Sequence, residues 1–192
     1  IFSRRAFYVL TSIPKVFRFY SRIREYMKLI SGVSSPSLLI GLGNPDPKYK
    51  LNRHNAGHLL VDAIASLQHD NVKRLKTNTF MNDSGKFVKK ALTANPYPLT
   101  ALYIAHDDLD IRLGQYKIQF GVGPKVHYGI QSIENELGTK DFWRIRIGID
   151  NREQGTGDRE QGEKYVLEDF SSEELKILEE VYAKIRDDIA KI

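Results

Sequence analysis

The sequence predicts an α/β fold: a single domain whose central, mixed and largely parallel twisted sheet is covered by helices on both faces. Residues 38–40 and 102–105 are unbroken apolar runs, which indicate strands buried on both sides. Segments with helical spacing of apolar residues follow such runs, and this alternation is typical of sheets flanked by helices. With 192 residues, the chain is long enough to bury one substantial core.

In the first half of the domain, the strand at residues 38–40 is followed by a proline-fixed turn. A helix is then predicted over residues 56–68, with Asn55 as its expected N-cap. A short strand around residues 72–76 comes next. A second helix follows, and its candidate caps are Asn82 and Ser84.

In the second half, the buried strand at residues 102–105 is expected to run into an acidic loop at residues 106–110. Residues 115–120 alternate between polar and apolar, as a half-exposed strand does. Residues 129–137 have helical spacing, and Gly138 is the expected end of that helix.

Residues 143–149 alternate apolar and basic side chains. This pattern predicts a strand with one buried face and a second face that presents Arg144 and Arg146. Residues 150–163 are polar and glycine-rich, which is typical of a mobile loop. A capping box that begins at Ser171 then predicts the start of a C-terminal helix.

The composition excludes several kinds of chemistry and separates a tail from the domain. There is no cysteine, so disulfides, thiol catalysis and thiolate metal sites are excluded. The net charge of +5 is uneven, because residues 1–35 hold +6 and the rest of the chain −1. We interpret residues 1–35 as a basic N-terminal extension, either transit-like or non-native, and residues 36–192 as the domain.

The same pattern bears on the location of the protein. Charged residues interrupt every apolar run, so no stable membrane association is expected. The expected location is the cytoplasm. If residues 1–35 are a genuine transit segment, the expected location is instead a mitochondrion or a plastid.

The segment Gly41-Leu42-Gly43-Asn44-Pro45 follows the first strand and invites a nucleotide-binding interpretation. However, Asp46 and not a glycine ends the G-x-G-x-x pattern, and Pro45 stands where a helix should begin. A phosphate-binding lysine motif is absent, and the histidines and acids lack a convincing metal-ligand spacing. We therefore expect neither a cofactor nor a metal.

His54, Asp107 and two asparagines offer the groups needed to activate a water molecule. A neutral imidazole with a pKa near ~6.5 can take a proton from water. A carboxylate bonded to its other nitrogen fixes the tautomer and stabilises the imidazolium that forms. Asn44 and Asn82 can hold a substrate carbonyl or donate to a developing oxyanion. The pattern also permits structural roles, namely a packing histidine, a turn aspartate and a helix-capping asparagine.

Several segments taken together give a more specific signal. In chain order they are Gly41-Leu42-Gly43-Asn44-Pro45, Arg53-His54-Asn55-Ala56-Gly57, Thr79-Phe80-Met81-Asn82, Ala105-His106-Asp107-Asp108-Leu109-Asp110 and Arg144-Ile145-Arg146-Ile147-Gly148. With these segments, residues 38–192 resemble the bacterial-type peptidyl-tRNA hydrolase family along nearly their whole length.

The resemblance implies a carboxylic ester hydrolase that cleaves the bond between a peptide and tRNA without a metal, so that tRNA is recycled. It makes His54 the catalytic base and Asp107 its orienting acid. It also places Asn44, Tyr49 and Asn82 in the substrate-binding cleft. The implied partner is peptidyl-tRNA, and the implied oligomeric state is a monomer.

Two departures from the family pattern bear on activity. The glycine-rich loop of the family ends in His-Asn-Gly, whereas this chain has Tyr128 in the place of the asparagine. Tyr128 is therefore a further expected substrate-binding residue. The stretch between His54 and Asn82 is shorter than usual, which predicts a smaller sheet or a more open cleft. These departures leave open a second hypothesis, a relative that binds RNA but is impaired in catalysis.

Four cations are candidates for contacts with tRNA phosphates, which require positive charge but little sequence information. They are Lys117, Lys125, Arg144 and Arg146. A solvated surface explains any single one of them equally well. Because the domain has a net charge of −1, we expect a local basic patch and salt-sensitive binding.

Overall fold

The computed structural model describes residues 36–65, 71–95, 97–152 and 159–190. Residues 1–35, the predicted extension, lie outside this part of the chain, so their interpretation stays a prediction. Five strands in the described residues form one sheet: β1 (Ser37–Gly41), β2 (Val72–Lys76), β3 (Leu102–Arg112), β4 (Tyr116–Phe120) and β5 (Trp143–Asp150). Their order is β2-β1-β3-β5-β4, and all neighbours are parallel except β4 and β5.

Helices cover both faces of this sheet. Those in the described residues are α1 (Ala56–Ala63), α2 (Ser84–Ala94), α3 (Tyr128–Leu137), α4 (Arg159–Val166) and α5 (Ser172–Ile189). Leu39 packs with α1 and α5, whereas Leu38 and Ile40 pack with α2 and α3, as the two-residue period of a strand requires. The predicted fold class is confirmed. None of the helices within the described ranges is long and apolar enough to cross a membrane.

β3 is longer than the sequence predicts. Residues 106–110 were expected to form an acidic loop, but the strand continues through them to Arg112. It is paired with β5 from Tyr103 to Asp108, and after a shift of register Arg112 pairs with Asp150. The hydropathy pattern predicts an end of the strand that is too early, because the run of apolar residues stops where the acidic residues begin. Asp107 consequently lies on a strand and not on a loop.

The prediction that β5 presents Arg144 and Arg146 on an exposed face is wrong. β5 lies between β3 and β4, and each residue from Arg144 to Ile149 is buried. Arg144 Nη2 donates to Glu134 at 2.7 Å, and Arg146 Nε donates to Asp108 at 2.6 Å. These ion pairs compensate for the desolvation of the two guanidinium groups. Both arginines are therefore removed from the candidate tRNA contacts.

The helices lie where the spacing predicts them, but some of their ends differ. α1 ends at Ala63, earlier than expected, and Asn55 before it makes no side-chain cap bond. No side-chain cap forms at the start of α2 either, so neither Asn82 nor Ser84 has that role. Residues 159–163, which were expected in a mobile loop, belong to α4. Residues 153–158 of that predicted loop lie outside the described part of the chain.

The first turn of α1 lies directly against the backbone of the sheet. A Cβ atom on Gly57 would be 2.2 Å from the carbonyl oxygen of Ala105, and one on Gly41 would be 2.2 Å from the carbonyl oxygen of Gly57. The backbone of Leu42 bonds with both sides of this contact, donating to Ala105 at 2.9 Å and accepting from His58 at 3.1 Å. These glycines therefore serve close helix–sheet packing.

Gly57→Ala is expected to destabilise the domain by about 1–3 kcal/mol or more, although alanine is the better helix former. The added methyl group meets the backbone carbonyl of Ala105, which cannot move aside without shifting β3. Urea unfolding measures the loss. Gly162→Ala is a matched control, because its Cβ would meet the flexible end of the Leu109 side chain at 3.3 Å. Equal unfolding free energies for the two variants would contradict the close-packing explanation.

Candidate active site

The structure brings His54 and Asp107 together. His54 lies in one turn of 3₁₀ helix, Arg53–Asn55, directly before α1, and its Nδ1 is 3.0 Å from both carboxylate oxygens of Asp107. The exposed fraction is 8% for His54 and 2% for Asp107. Since a carboxylate accepts hydrogen bonds, we assign the proton to Nδ1. The lone pair of Nε2 is then available as a base.

His127 also bonds to Asp107, which sequence reasoning missed. Its Nε2 is 3.0 Å from Asp107 Oδ1, and its Nδ1 accepts the backbone N–H of Ile130 at 3.2 Å as the N-cap of α3. Because Nδ1 accepts, Nε2 must be the protonated nitrogen that donates to the carboxylate. The signal in the sequence was a histidine two residues before the helix predicted over residues 129–137, which is not by itself specific.

These groups change one another's protonation. Burial raises the pKa of Asp107, but the charges and hydrogen bonds of His54 and His127 outweigh it and hold that pKa well below its usual range. Burial lowers the pKa of His54, whereas the charge and hydrogen bond of Asp107 raise it, and the net pKa is raised. Burial, followed by the charge of His127, holds the pKa of His106 well below its usual value. Asp107 is therefore the negative centre of the site.

Arg53 fastens the His54 segment to α5. Its Nη2 donates to both carboxylate oxygens of Glu174, at 3.1 and 2.9 Å, and its Nη1 donates to the Asp169 carbonyl at 2.9 Å. Glu174 also accepts the N–H of Ser171 in the capping box of α5, which confirms that predicted cap. Hydrogen bonds between an ionised arginine and an ionised carboxylate are stronger than neutral ones, so this contact holds the segment firmly. Sequence reasoning missed this anchor because its partners are 121 residues apart.

Asn44 is fixed by two neighbours. Its N–H donates to Asn55 Oδ1 at 2.8 Å, and its carbonyl accepts from Asn55 Nδ2 at 3.0 Å. Its own side-chain Oδ1 accepts the N–H of Met81 at 2.9 Å. Because that oxygen is engaged, the amide group of Asn44 is oriented with its Nδ2 as the side chain's hydrogen-bond donor.

A cavity of about 490 Å³, here called the catalytic cleft, opens beside His54 and Asp107. Its volume falls in the range of pockets that hold small ligands, about 300–1,000 Å³. Most of its lining is apolar and comes from Leu109, Pro124, Val126, Val166 and Leu167. Charged side chains also reach it, from Asp110, Lys125, Arg152 and Glu163. The cleft therefore offers apolar surface next to a potential base.

The expected substrate-binding residues are placed differently from one another. Tyr128 lines the catalytic cleft, whereas Asn44 lines a smaller polar cavity of about 160 Å³. The side chain of Asn82 is exposed next to Met81, and Tyr49 is half-buried in a 3₁₀ turn. Tyr49 and Asn82 do not belong to the described residues that line the cleft.

Two of the four predicted tRNA contacts remain on the surface. Lys117 is exposed near the middle of β4, and the side chain of Lys125 is 87% exposed. The Nζ of Lys125 lies 3.4 Å from Asp110, an exposed pair that solvent screens strongly. Both lysines are therefore accessible to a phosphate.

His54, Asp107 and His127 are also residue types that hold metals, and one ligand atom of each lies within 4.8 Å of the others. The two nitrogens that face Asp107 are engaged in 3.0 Å hydrogen bonds, so a metal would have to displace both protons. The expectation that the reaction uses no metal or cofactor stays a prediction.

A histidine bonded to a buried aspartate beside a cleft, on a largely parallel sheet, is an arrangement suited to general-base catalysis. A sequence model of the peptidyl-tRNA hydrolase family matches residues 38–192. The chain belongs to the peptidyl-tRNA hydrolase family.

Relatives of known structure or curated function agree with this assignment. The peptidyl-tRNA hydrolase of Citrifermentans bemidjiense is 39% identical over 163 residues, which cover 75% of this chain and 84% of the relative. That of Geotalea daltonii is 36% identical over 160 residues, with coverage of 73% and 81%. The crystal structure of peptidyl-tRNA hydrolase from Acinetobacter baumannii has a TM-score of 0.71 at 29% identity, with coverage of 81% and 87%. The similarity thus extends from sequence to fold.

The pKa of His54 is expected to lie above ~6.5, the usual value for histidine, and to fall below it in Asp107→Asn. Without the negative charge of Asp107, burial acts alone and disfavours the imidazolium. Titration of the imidazole signals by NMR measures both values. Asp110→Asn removes a nearby carboxylate that does not bond to His54 and is the matched control. An equal His54 pKa in both variants would contradict the assigned role of Asp107.

Proposed function

We propose that this chain hydrolyses the ester bond of peptidyl-tRNA and releases a peptide and free tRNA. The observation that supports this most directly is the geometry of His54, whose Nδ1 bonds to Asp107 beside the catalytic cleft. This arrangement leaves Nε2 as a base. The substrate is inferred from the relatives, which are named peptidyl-tRNA hydrolases.

In the proposed reaction, His54 Nε2 removes a proton from a water molecule while the water oxygen attacks the ester carbonyl carbon. The imidazolium that forms is stabilised by Asp107, which is already negatively charged. The carbonyl oxygen becomes negatively charged in the tetrahedral intermediate, which a hydrogen-bond donor has to stabilise. When the bond to the ribose oxygen breaks, the proton on His54 passes to that oxygen. The base is thereby regenerated.

The remaining surfaces suggest how the two halves of the substrate are held. We propose that the peptide occupies the apolar part of the catalytic cleft, because the apolar side chains of the peptide are removed from water there. We propose that Lys117 and Lys125 contact tRNA phosphates, since both are exposed cations. We further propose a monomer that acts in the cytoplasm, in keeping with the bacterial origin of the relatives.

His54→Ala is expected to lower the rate of tRNA release from N-acetyl-aminoacyl-tRNA by about 10²–10⁴-fold, because general-base help is lost. Gel separation of acylated and free tRNA measures the rate. His58→Gln is the matched control on the first turn of α1. Its Nε2 bonds to Thr77, and burial followed by the charge of Lys76 lowers its pKa to about 4. It is therefore neutral at working pH, and this variant is expected to keep its activity.

Two results would change the proposal. Near-normal turnover in His54→Ala, with an unfolding midpoint equal to that of the unchanged protein, would rule out His54 as the base. No cleavage by the unchanged protein, with tRNA still bound, would favour the second hypothesis of an RNA-binding relative. That hypothesis is motivated by Tyr128, which lines the cleft where the family has an asparagine.

A further inference from the structure

The proposed reaction does not involve His106, the residue that precedes Asp107 on β3. His106 is fully buried, and its Nδ1 is 2.6 Å from the backbone carbonyl oxygen of Asp107. Burial, followed by the charge of His127, holds the pKa of His106 well below its usual value, so the ring is neutral. A carbonyl oxygen only accepts hydrogen bonds, so the single ring proton lies on Nδ1. His106 is therefore a donor to the backbone of Asp107.

The topology of the sheet explains why the carbonyl of Asp107 needs a donor from outside the ladder. β1 ends at Gly41, which pairs with Ala105, whereas β3 continues beyond that point. On this side of β3, the carbonyl of Ala105 accepts the N–H of Leu42 at 2.9 Å. Because backbone groups alternate along a strand, the carbonyl of Asp107 points to the same side, where β1 has ended. A buried carbonyl requires a partner, and His106 supplies it.

The other nitrogen of His106 shows that packing alone does not explain a histidine here. Its Nε2 is buried and has no hydrogen-bond partner within the part of the chain that the structure describes. Burying a polar nitrogen without a partner is unfavourable, so an apolar ring would suit a purely structural position better. The feature that histidine adds at this position is the Nδ1–H group.

The ring of His106 also packs against the second histidine of the site. Its centroid is 4.8 Å from that of His127, and the two rings are inclined at 74°, an edge-to-face arrangement that aromatic pairs favour. His127 in turn bonds to the carboxylate of Asp107 at 3.0 Å. His106 thus contacts both the backbone of Asp107 and one of the two rings that bond to its carboxylate.

We propose that His106 is a positioning residue for the catalytic aspartate: its Nδ1–H fixes the backbone of Asp107 and thereby places the carboxylate within hydrogen-bonding distance of His54. This inference deepens the proposed ester hydrolysis and rests on it for its effect on turnover. The carbonyl carbon and Cβ are both attached to the Cα atom of Asp107, so a shift of this peptide group displaces the carboxylate. A misplacement of about 1 Å in a catalytic arrangement can lower the rate by ~10²-fold.

The first test compares His106→Phe with His106→Asn in the full chain. Phenylalanine keeps an aromatic ring but has no donor, whereas the amide N–H of asparagine can take the place of the Nδ1–H group. NMR titration measures the pKa of His54, which the charge and hydrogen bond of Asp107 raise. A displaced carboxylate raises it less, so this pKa is expected to fall in His106→Phe and to be retained in His106→Asn.

The second test measures turnover of N-acetyl-aminoacyl-tRNA by the same two variants. In His106→Phe, kcat is expected to fall about 10–100-fold with little change in KM, because the aspartate is misplaced while the cleft lining is kept. His54 acts as a base when neutral, so the acid limb of the kcat/KM profile should move to lower pH together with the His54 pKa. His106→Asn should retain both kcat and the profile. A merely structural role would lower the unfolding midpoint without moving the acid limb.

Two controls separate positioning from a general loss of stability. Trp143→Phe deletes another side-chain N–H that bonds to a backbone carbonyl, that of Thr100 at 3.2 Å, and Trp143 is not among the described residues that line the cleft. It should lower the unfolding midpoint but leave kcat and the His54 pKa unchanged. The second control is the unchanged protein, in which the nitrogen chemical shifts of His106 are expected to show the proton on Nδ1.

Three results would overturn the inference. They are an unchanged His54 pKa and kcat in folded His106→Phe, an equal loss in folded His106→Asn, and a His106 proton on Nε2 in the unchanged protein. The last of these requires no variant to fold. Cleavage that is absent from the unchanged protein would instead contradict the proposed function, whereas the NMR titrations would still measure the effect of His106 on His54.

Discussion

The close contact between the first turn of α1 and the sheet sets the geometry of the catalytic cleft. Gly57 lies against the carbonyl of Ala105 with no room for a side-chain atom between them. His54 comes shortly before Gly57 in the chain, and Asp107 comes just after Ala105. Helix and strand therefore meet at a distance that brings ring and carboxylate within hydrogen-bonding range. The same close contact therefore packs the core and aligns His54 with Asp107.

The carboxylate of Asp107 illustrates how the fold makes a buried charge tolerable. An unpaired ion in the interior is strongly unfavourable, but here two imidazole N–H groups from different elements bond to it. His127 can donate because its other nitrogen is occupied by the N–H of Ile130 at the start of α3. The capping bond at His127 Nδ1 thus fixes the ring proton on Nε2, which faces Asp107.

The sheet and the helix spacing were predictable because buried strands and amphipathic helices leave periodic patterns in a sequence. The pairing of His54 with Asp107 also followed from residue type and family resemblance. What could not be predicted depends on partners that only the tertiary structure supplies. In the sequence, Arg144 has the pattern of a surface residue, and only the tertiary structure places Glu134 of α3 next to it. His127 has the pattern of a loop residue, and only the structure shows that it caps α3.

Glu174 has two tasks, since its carboxylate completes the capping box of α5 and holds Arg53 next to His54. On the ribosome, Glu174 is added 121 residues after Arg53. Throughout that interval the growing chain is itself joined to a tRNA by the kind of bond that we propose as the substrate. The bond between Arg53 and Glu174 therefore cannot form before α5 has been synthesised.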